Sequence, residues 1–196
     1  MNKTLILPMA LLFTTAAMAQ LKVTDLRVEH MNNPTVVDET VPRFSWINEA
    51  MNEKERGKRQ TAYQIGVATS EAKAKAGDFD MWDTDKQISS ESVLIPYLGQ
   101  PLKSGKDYYW CVRTWDEDGK VSKWSQVATW GMGLLKPTDW KAQWIKPAKT
   151  TTNAPMLRRT FHIGRKVKQA KVFICGLGFH QLYMNGKRVG NDELVP

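Results

Sequence analysis

Four groups of side chains have types and spacings that suggest chemistry. Asp116-Glu117-Asp118-Gly119 resembles a cation loop, because hard cations take carboxylate oxygens. It lacks the regular acidic spacing and the late Glu of such a loop, so a solvated turn is expected. Asp80, Asp83 and Asp85 surround Trp82, and clustered carboxylates can share acid and base work. With no neighbouring His or second cluster to shift their pKa values, they are expected on an exposed strand edge. His30, His162 and His180 stand far apart without a Ser or Cys nucleophile context, which argues against a triad. Gly176-Leu177-Gly178 lacks the strand-to-helix setting of a phosphate loop and reads as a bend between strands.

Cysteines and tryptophans complete the inventory. Cys111 and Cys175 fall in different expected domains and have no second Cys or His at metal-ligand spacing, so neither a disulfide nor zinc is expected. Of the eight tryptophans, Trp46, Trp110 and Trp130 read as core. Trp82, Trp115, Trp140 and Trp144 remain as candidates for exposed sugar-facing rings, with packing between domains as the simpler reading. No catalytic, cofactor-binding or metal-binding residue is assigned on these grounds, and no cofactor is expected.

The elements that would position these groups are organised around Leu102 to Asp116. Alternation places Tyr108, Trp110, Val112 and Thr114 on one strand face and Tyr109, Cys111, Arg113 and Trp115 on the other. Further strands are expected at Leu21 to His30, Pro42 to Ile47, Tyr63 to Thr69, Met81 to Asp83, Val93 to Tyr97 and Trp124 to Met132, with Trp46 opposite the Tyr108 face. Met51 to Gln60 is too polar to bury and reads as a solvated hairpin loop, with a binding loop as the alternative. Ser70 to Gly77 has a capping Ser, helix formers and a terminal Gly, and predicts one or two helical turns. About seven strands in roughly 110 residues predict an all-β, immunoglobulin-like or fibronectin-type sandwich. Leu102, Gly105 and Tyr108 have the spacing of a tyrosine corner within it.

Beyond that sandwich, Pro137, Pro147 and Pro155 punctuate a linker over residues 137–154. Met156 to Ile163, Lys171 to Cys175 and Phe179 to Met184 then read as strands, with Asn185-Gly186 as a hairpin turn returning through Val189. Residues 155–196 are therefore expected to be the first strands of a second, incomplete β-sandwich. At the other end, a basic start, the apolar run Thr4 to Thr15 and Ala17-Met18-Ala19 predict a cleavable export signal over residues 1–19. The apolar run is shorter than a membrane span requires, and the first sandwich would occupy 20–136.

The net charge of +8 is unevenly divided. Residues 1–135 carry 16 Lys and Arg against 17 Asp and Glu, while residues 136–196 carry 12 against 3. The basic residues of the last third are scattered rather than interleaved with stacking aromatics, so nucleic-acid binding is not expected.

The order PRFSW, AYQIGVATS, a Trp-Asp pair, YYWCVRTWDEDG, SKWS, GLL, DWKAQWI, LRRTFHI and LYMNGKRVG resembles the N-terminal part of bacterial α-L-rhamnosidases, across about Leu21 to Pro196. Cys111 departs from the pattern, since similar strands carry a larger polar residue there. The resemblance implies a fibronectin type III-like domain over 21–136, then the opening of a second β-sandwich, with the catalytic carboxylates in an (α/α)₆ barrel beyond the matched stretch. It thus implies a non-catalytic piece of an exported, inverting glycoside hydrolase that releases terminal α-L-rhamnose. That piece would be inactive alone, would have the missing catalytic domain as its partner, and would be periplasmic, secreted or surface-held. The alternative is a stand-alone sandwich module that binds a glycan, such as a rhamnose-containing one, or a protein.

Overall fold

The computed structural model describes residues 21–52, 54, 56–148, 154–167 and 169–191. The expected export signal lies outside them. The chain divides into two compact units, Met1–Trp140 and Lys141–Pro196.

The first unit is a sandwich of two antiparallel sheets. One contains β1 (Leu21–Val28), β2 (Arg43–Ala50) and β6 (Ile95–Pro96) in the order β1-β2-β6. The other contains β3 (Ala62–Ala68), β4 (Trp82–Asp83), β7 (Asp107–Trp115) and β8 (Ala128–Gly131) in the order β4-β3-β7-β8, with β5 (Gln87–Ile88) also paired to β3. β5 went unseen in the sequence because two residues show no periodicity. As expected, Tyr108, Trp110, Val112 and Thr114 face inward and are buried, opposite β3 through pairs such as Ile65 with Val112 and Val67 with Trp110.

Phe44 of β2 sits at the centre of the core. Its ring lies 4.5 Å from Trp110, 5.3 Å from Trp130 and 6.2 Å from Trp82, centroid to centroid. Such pairs add to the apolar area they bury. Trp46 lies in the same core, but the ring against it is Tyr63 at 5.3 Å, and its Nε1 donates to Gln60 Oε1 at 3.0 Å. Gln60 corrects the reading of the 51–60 segment as wholly solvated. It is buried, its oxygen also accepts from Asn48, and its Nε2 donates to the carbonyls of Ser89 and Glu91, so the amide is fully satisfied.

The tyrosine corner is formed, with the Lys103 N–H donating to Tyr108 Oη at 2.9 Å. Helix α1 (Glu71–Ala76) also forms as expected, with Ser70 Oγ accepting from the Lys73 N–H and Gly77 closing it at φ 76°. The strand expected from Trp124 begins only at Ala128. Before it, the N–H groups of Ser122 and Ser125 donate to the carbonyls of Thr114 and Val112. Their hydroxyls accept the N–H groups of the same two β7 residues, at 3.0 and 3.1 Å. Three residues of this segment therefore advance against two of β7, and serine hydroxyls stand in for the carbonyls of a regular ladder.

In the second unit, β9 (Tyr183–Met184) and β10 (Lys187–Arg188) form the expected hairpin around Asn185 and Gly186, both at positive φ. The strands expected at Met156 to Ile163 and Lys171 to Cys175 are not formed. A strand exists only where a neighbour takes its backbone groups, and alternation alone supplies none.

The core predicts two mutational outcomes. Phe44→Ala is expected to destabilise the first unit by about 3–5 kcal/mol, and Tyr108→Phe, which removes only the corner bond, by about 1 kcal/mol. Urea unfolding followed by tryptophan fluorescence checks both. Equal costs for the two would contradict the central place given to Phe44.

Candidate functional site

The acidic turn after β7 is built around one carboxylate. Asp116 is buried at 1% exposure, and its Oδ1 accepts the N–H groups of Asp118 and Lys120 at 3.0 and 2.9 Å. Glu117 instead turns to the 51–60 segment, pairing with Lys58 Nζ at 2.9 Å and accepting the Arg59 N–H. The Lys58 hydrogen bond is the main reason its carboxyl is held down at about 2. These acids shape a turn, as expected. Among the described residues, no three His, Cys, Asp or Glu side chains gather in a way that could hold a metal ion.

Asp80, Asp83 and Asp85 have separate tasks. Asp80 clamps α1 to the end of β3, accepting from Lys73 Nζ at 2.7 Å and from the N–H and hydroxyl of Thr69 at 2.9 and 2.7 Å. Burial is the largest single influence on its carboxyl and pushes the pKa up, yet the bonds from Lys73 and Thr69 together outweigh it and hold the pKa at about 2. Asp83 Oδ1 accepts from Gln64 Nε2 at 2.7 Å and from the Asp85 N–H at 2.9 Å. Asp25 and Glu29 are also displaced downward, chiefly by hydrogen bonds from Arg27 and Arg43. A general acid needs the opposite displacement.

His30 is in a turn after β1, while His162 and His180 belong to the second unit. Gly176-Leu177-Gly178 forms a bend with no helix following it. Cys111 is buried with its thiol pushed up to about 12 by desolvation, Cys175 is exposed, and the two are free.

The outer face of the five-stranded sheet carries an arrangement that sequence reasoning missed. The Arg113 guanidinium lies between two indoles, 4.7 Å from Trp124 and 5.3 Å from Trp115, and donates to Gln64 Oε1 at 2.8 Å. Lys86 Nζ also lies over Trp115, at 4.8 Å, and Phe79 meets Trp124 edge-on at 5.0 Å. The Phe79 ring covers Gly66 so closely that no Cβ would fit there. The spacing of Arg113 and Trp115 on one strand face was the available signal; Trp124, Lys86 and Phe79 arrive from other segments. Cations and edges thus already occupy these rings, which a sugar would otherwise stack upon. Trp82 is half-buried against Phe44 and Tyr97, leaving Trp140 and Trp144 as the exposed indoles. A groove of about 540 Å³ lies between α1 and residues 124–127, with Cys111 and Ala74 among its lining residues.

Residues 23–136 match the sequence model of the Rha78A-like, N-terminal immunoglobulin domain. The chain belongs to the α-L-rhamnosidase family. Residues 165–196 match the α-L-rhamnosidase N-terminal domain, so this family member corresponds to an N-terminal part. It is 42% identical over 140 residues to an α-L-rhamnosidase of Streptomyces avermitilis, covering 71% of this chain and 13% of that protein. It is 37% identical over 187 residues to an α-L-rhamnosidase of Alteromonas sp. (strain LOR), covering 89% of this chain and 20% of that one. Among solved structures, the Streptomyces avermitilis α-L-rhamnosidase complexed with L-rhamnose superposes with a TM-score of 0.61 at 43% identity, over 65% of this chain and 12% of that chain. The Dictyoglumus thermophilum α-L-rhamnosidase gives 0.61 at 38% identity, over 68% and 14%. This rhamnosidase-family chain spans between 13% and 20% of the length of these curated relatives.

The Asp80 clamp predicts an acid limb of stability. Its folded pKa of about 2 lies below the ordinary 3.8, so its contribution is present above the ordinary value and is lost as pH falls through about 2. Asp80→Asn is expected to lower the melting temperature near neutral pH, with the gap to wild type closing by pH 2. A gap that stays constant over that range would contradict the clamp.

Proposed function

We propose that this chain is the N-terminal, non-catalytic part of an exported α-L-rhamnosidase, a hydrolase releasing terminal α-L-rhamnose from glycans or glycosides. The observation that carries this reading is the pair of consecutive family matches, 23–136 and 165–196, together with relatives of which the matched stretch covers only 13% and 20%. The relative solved with L-rhamnose supports the sugar.

Inverting hydrolysis needs two carboxyl groups roughly 6.5 to 9.5 Å apart, one kept protonated to serve the leaving oxygen and one ionised to activate water. Among the described residues, the carboxyls with displaced pKa values, Asp25, Glu29, Asp80 and Glu117, are displaced downward and are tied to side-chain or backbone donors in β1, in turns and beside α1. The first unit serves as a rigid sandwich, and the acid and base come from the catalytic domain of the same enzyme. Export follows from the basic start, apolar run and Ala17-Met18-Ala19.

The 196-residue chain is expected not to hydrolyse 4-nitrophenyl α-L-rhamnoside, whereas the product of a reading frame continuing past Pro196 does so. Rhamnose release by the 196-residue chain, or an inactive longer product, would overturn the assignment. Mass spectrometry of the exported protein is expected to show Gln20 as its first residue, and an intact Met1 would contradict the leader.

A further inference from the structure

We infer that Arg113 and Lys86, on the outer face of the five-stranded sheet, form a binding site for the carboxylate of an acidic saccharide, such as a uronic acid residue. The carboxylate is read from the two cations; that a saccharide carries it rests on the rhamnosidase reading above.

Arg113 is held in place by three side chains. Its guanidinium lies 4.7 Å from Trp124 and 5.3 Å from Trp115, and its Nε donates to Gln64 Oε1 at 2.8 Å. Gln64 stands opposite Arg113 in the ladder of β3 and β7 and is buried at 7% exposure. Its Nε2 donates to Asp83 Oδ1 at 2.7 Å. An amide nitrogen donates and a carboxylate oxygen accepts, so this bond settles which end of Gln64 faces Arg113. The guanidinium is thereby preorganised, and ordering it costs a ligand little. Its Nη1 and Nη2 donate to no protein acceptor among the described residues. That edge is the fork that takes a carboxylate through two parallel bonds.

Lys86 points to the same ligand independently. It is exposed, and its Nζ lies 4.8 Å from the Trp115 ring that Arg113 also approaches. Cations with a structural task elsewhere in the first unit, Arg27, Arg43, Lys58 and Lys73, each meet a carboxylate. Among the described residues, Arg113 and Lys86 meet none, and Asp83 is bonded to Gln64 rather than to either of them. Two like charges on one indole repel, and an anion near both stabilises them together. Because the cations screen the indoles, the sugar is held by its acid group rather than by ring stacking.

The test titrates the 196-residue chain with trigalacturonate, its methyl ester, L-rhamnose and a triglutamate peptide, following the Arg113 Nε–H signal by NMR. Trigalacturonate is expected to bind with a Kd of about 1 mM or tighter, to shift that signal, and to bind more weakly as salt is raised. The methyl ester and rhamnose are expected to leave it unshifted. Lys86→Gln, at an exposed position, is expected to keep the melting temperature and weaken binding about threefold. Arg113→Lys keeps the charge but loses the fork, and is expected to weaken binding about tenfold or more. If Arg113→Lys does not fold, Lys86→Gln alone decides. Absent binding of trigalacturonate, equal binding of its ester, or undiminished binding by the folded variants overturns the site. Tighter binding of the peptide than of the trisaccharide overturns the saccharide as its occupant. The rhamnosidase reading fails separately, through an inactive longer product.

Discussion

The contact between Phe44 and Trp110 is the one on which the sandwich depends. Phe44 belongs to β2 in one sheet and Trp110 to β7 in the other, with ring centroids 4.5 Å apart. Because side chains alternate along a strand, placing these two rings inward also settles the direction of every neighbour. Tyr108, Val112 and Thr114 follow Trp110 into the core, while Arg113 and Trp115 must face out. A one-residue slip of either strand would exchange core and surface, so the aromatic contact acts as a register lock as well as a source of buried area.

Polar groups are held to the same frame and are spent on it. Gln60 satisfies Trp46, Asn48 and two carbonyls; Ser122 and Ser125 complete the edge of β7; Asp116 organises a turn. Leaving such groups unpaired in the interior would cost more than their bonds contribute, which is why each has partners. The same commitment explains the chemistry. Asp80 and Glu117, fixed by lysines and N–H donors, are poor proton donors, and indoles covered by Arg113 and Lys86 have little face to offer a sugar. A supporting role within a rhamnosidase fits a unit whose reactive residue types are engaged in holding it together.

The two units differ although their sequences share a pattern. Both alternate apolar and polar residues, but the first has two sheets to bring together, whereas the described residues of the second form one hairpin with two residues to a strand. Hydrophobic burial needs an opposing surface, and hydrogen-bonded strands need neighbours.

Local physics made much of this protein legible in its sequence alone. The inward face of β7, the tyrosine corner, the Ser70 and Gly77 caps and the Asn185-Gly186 turn each follow from a few adjacent residues, because alternation and positive φ are properties of the near chain. Tertiary structure decided what depends on distant partners. It chose Phe44 as the centre, drew Gln60 inward from a charged loop, and replaced the expected start of β8 with serine bonds to β7. It also stacked Arg113 between Trp115 and Trp124. Residues 156–163 and 171–175 show the same limit from the other side: their pattern is that of strands, but a strand is a relation between segments, and the described residues provide no second segment to complete it.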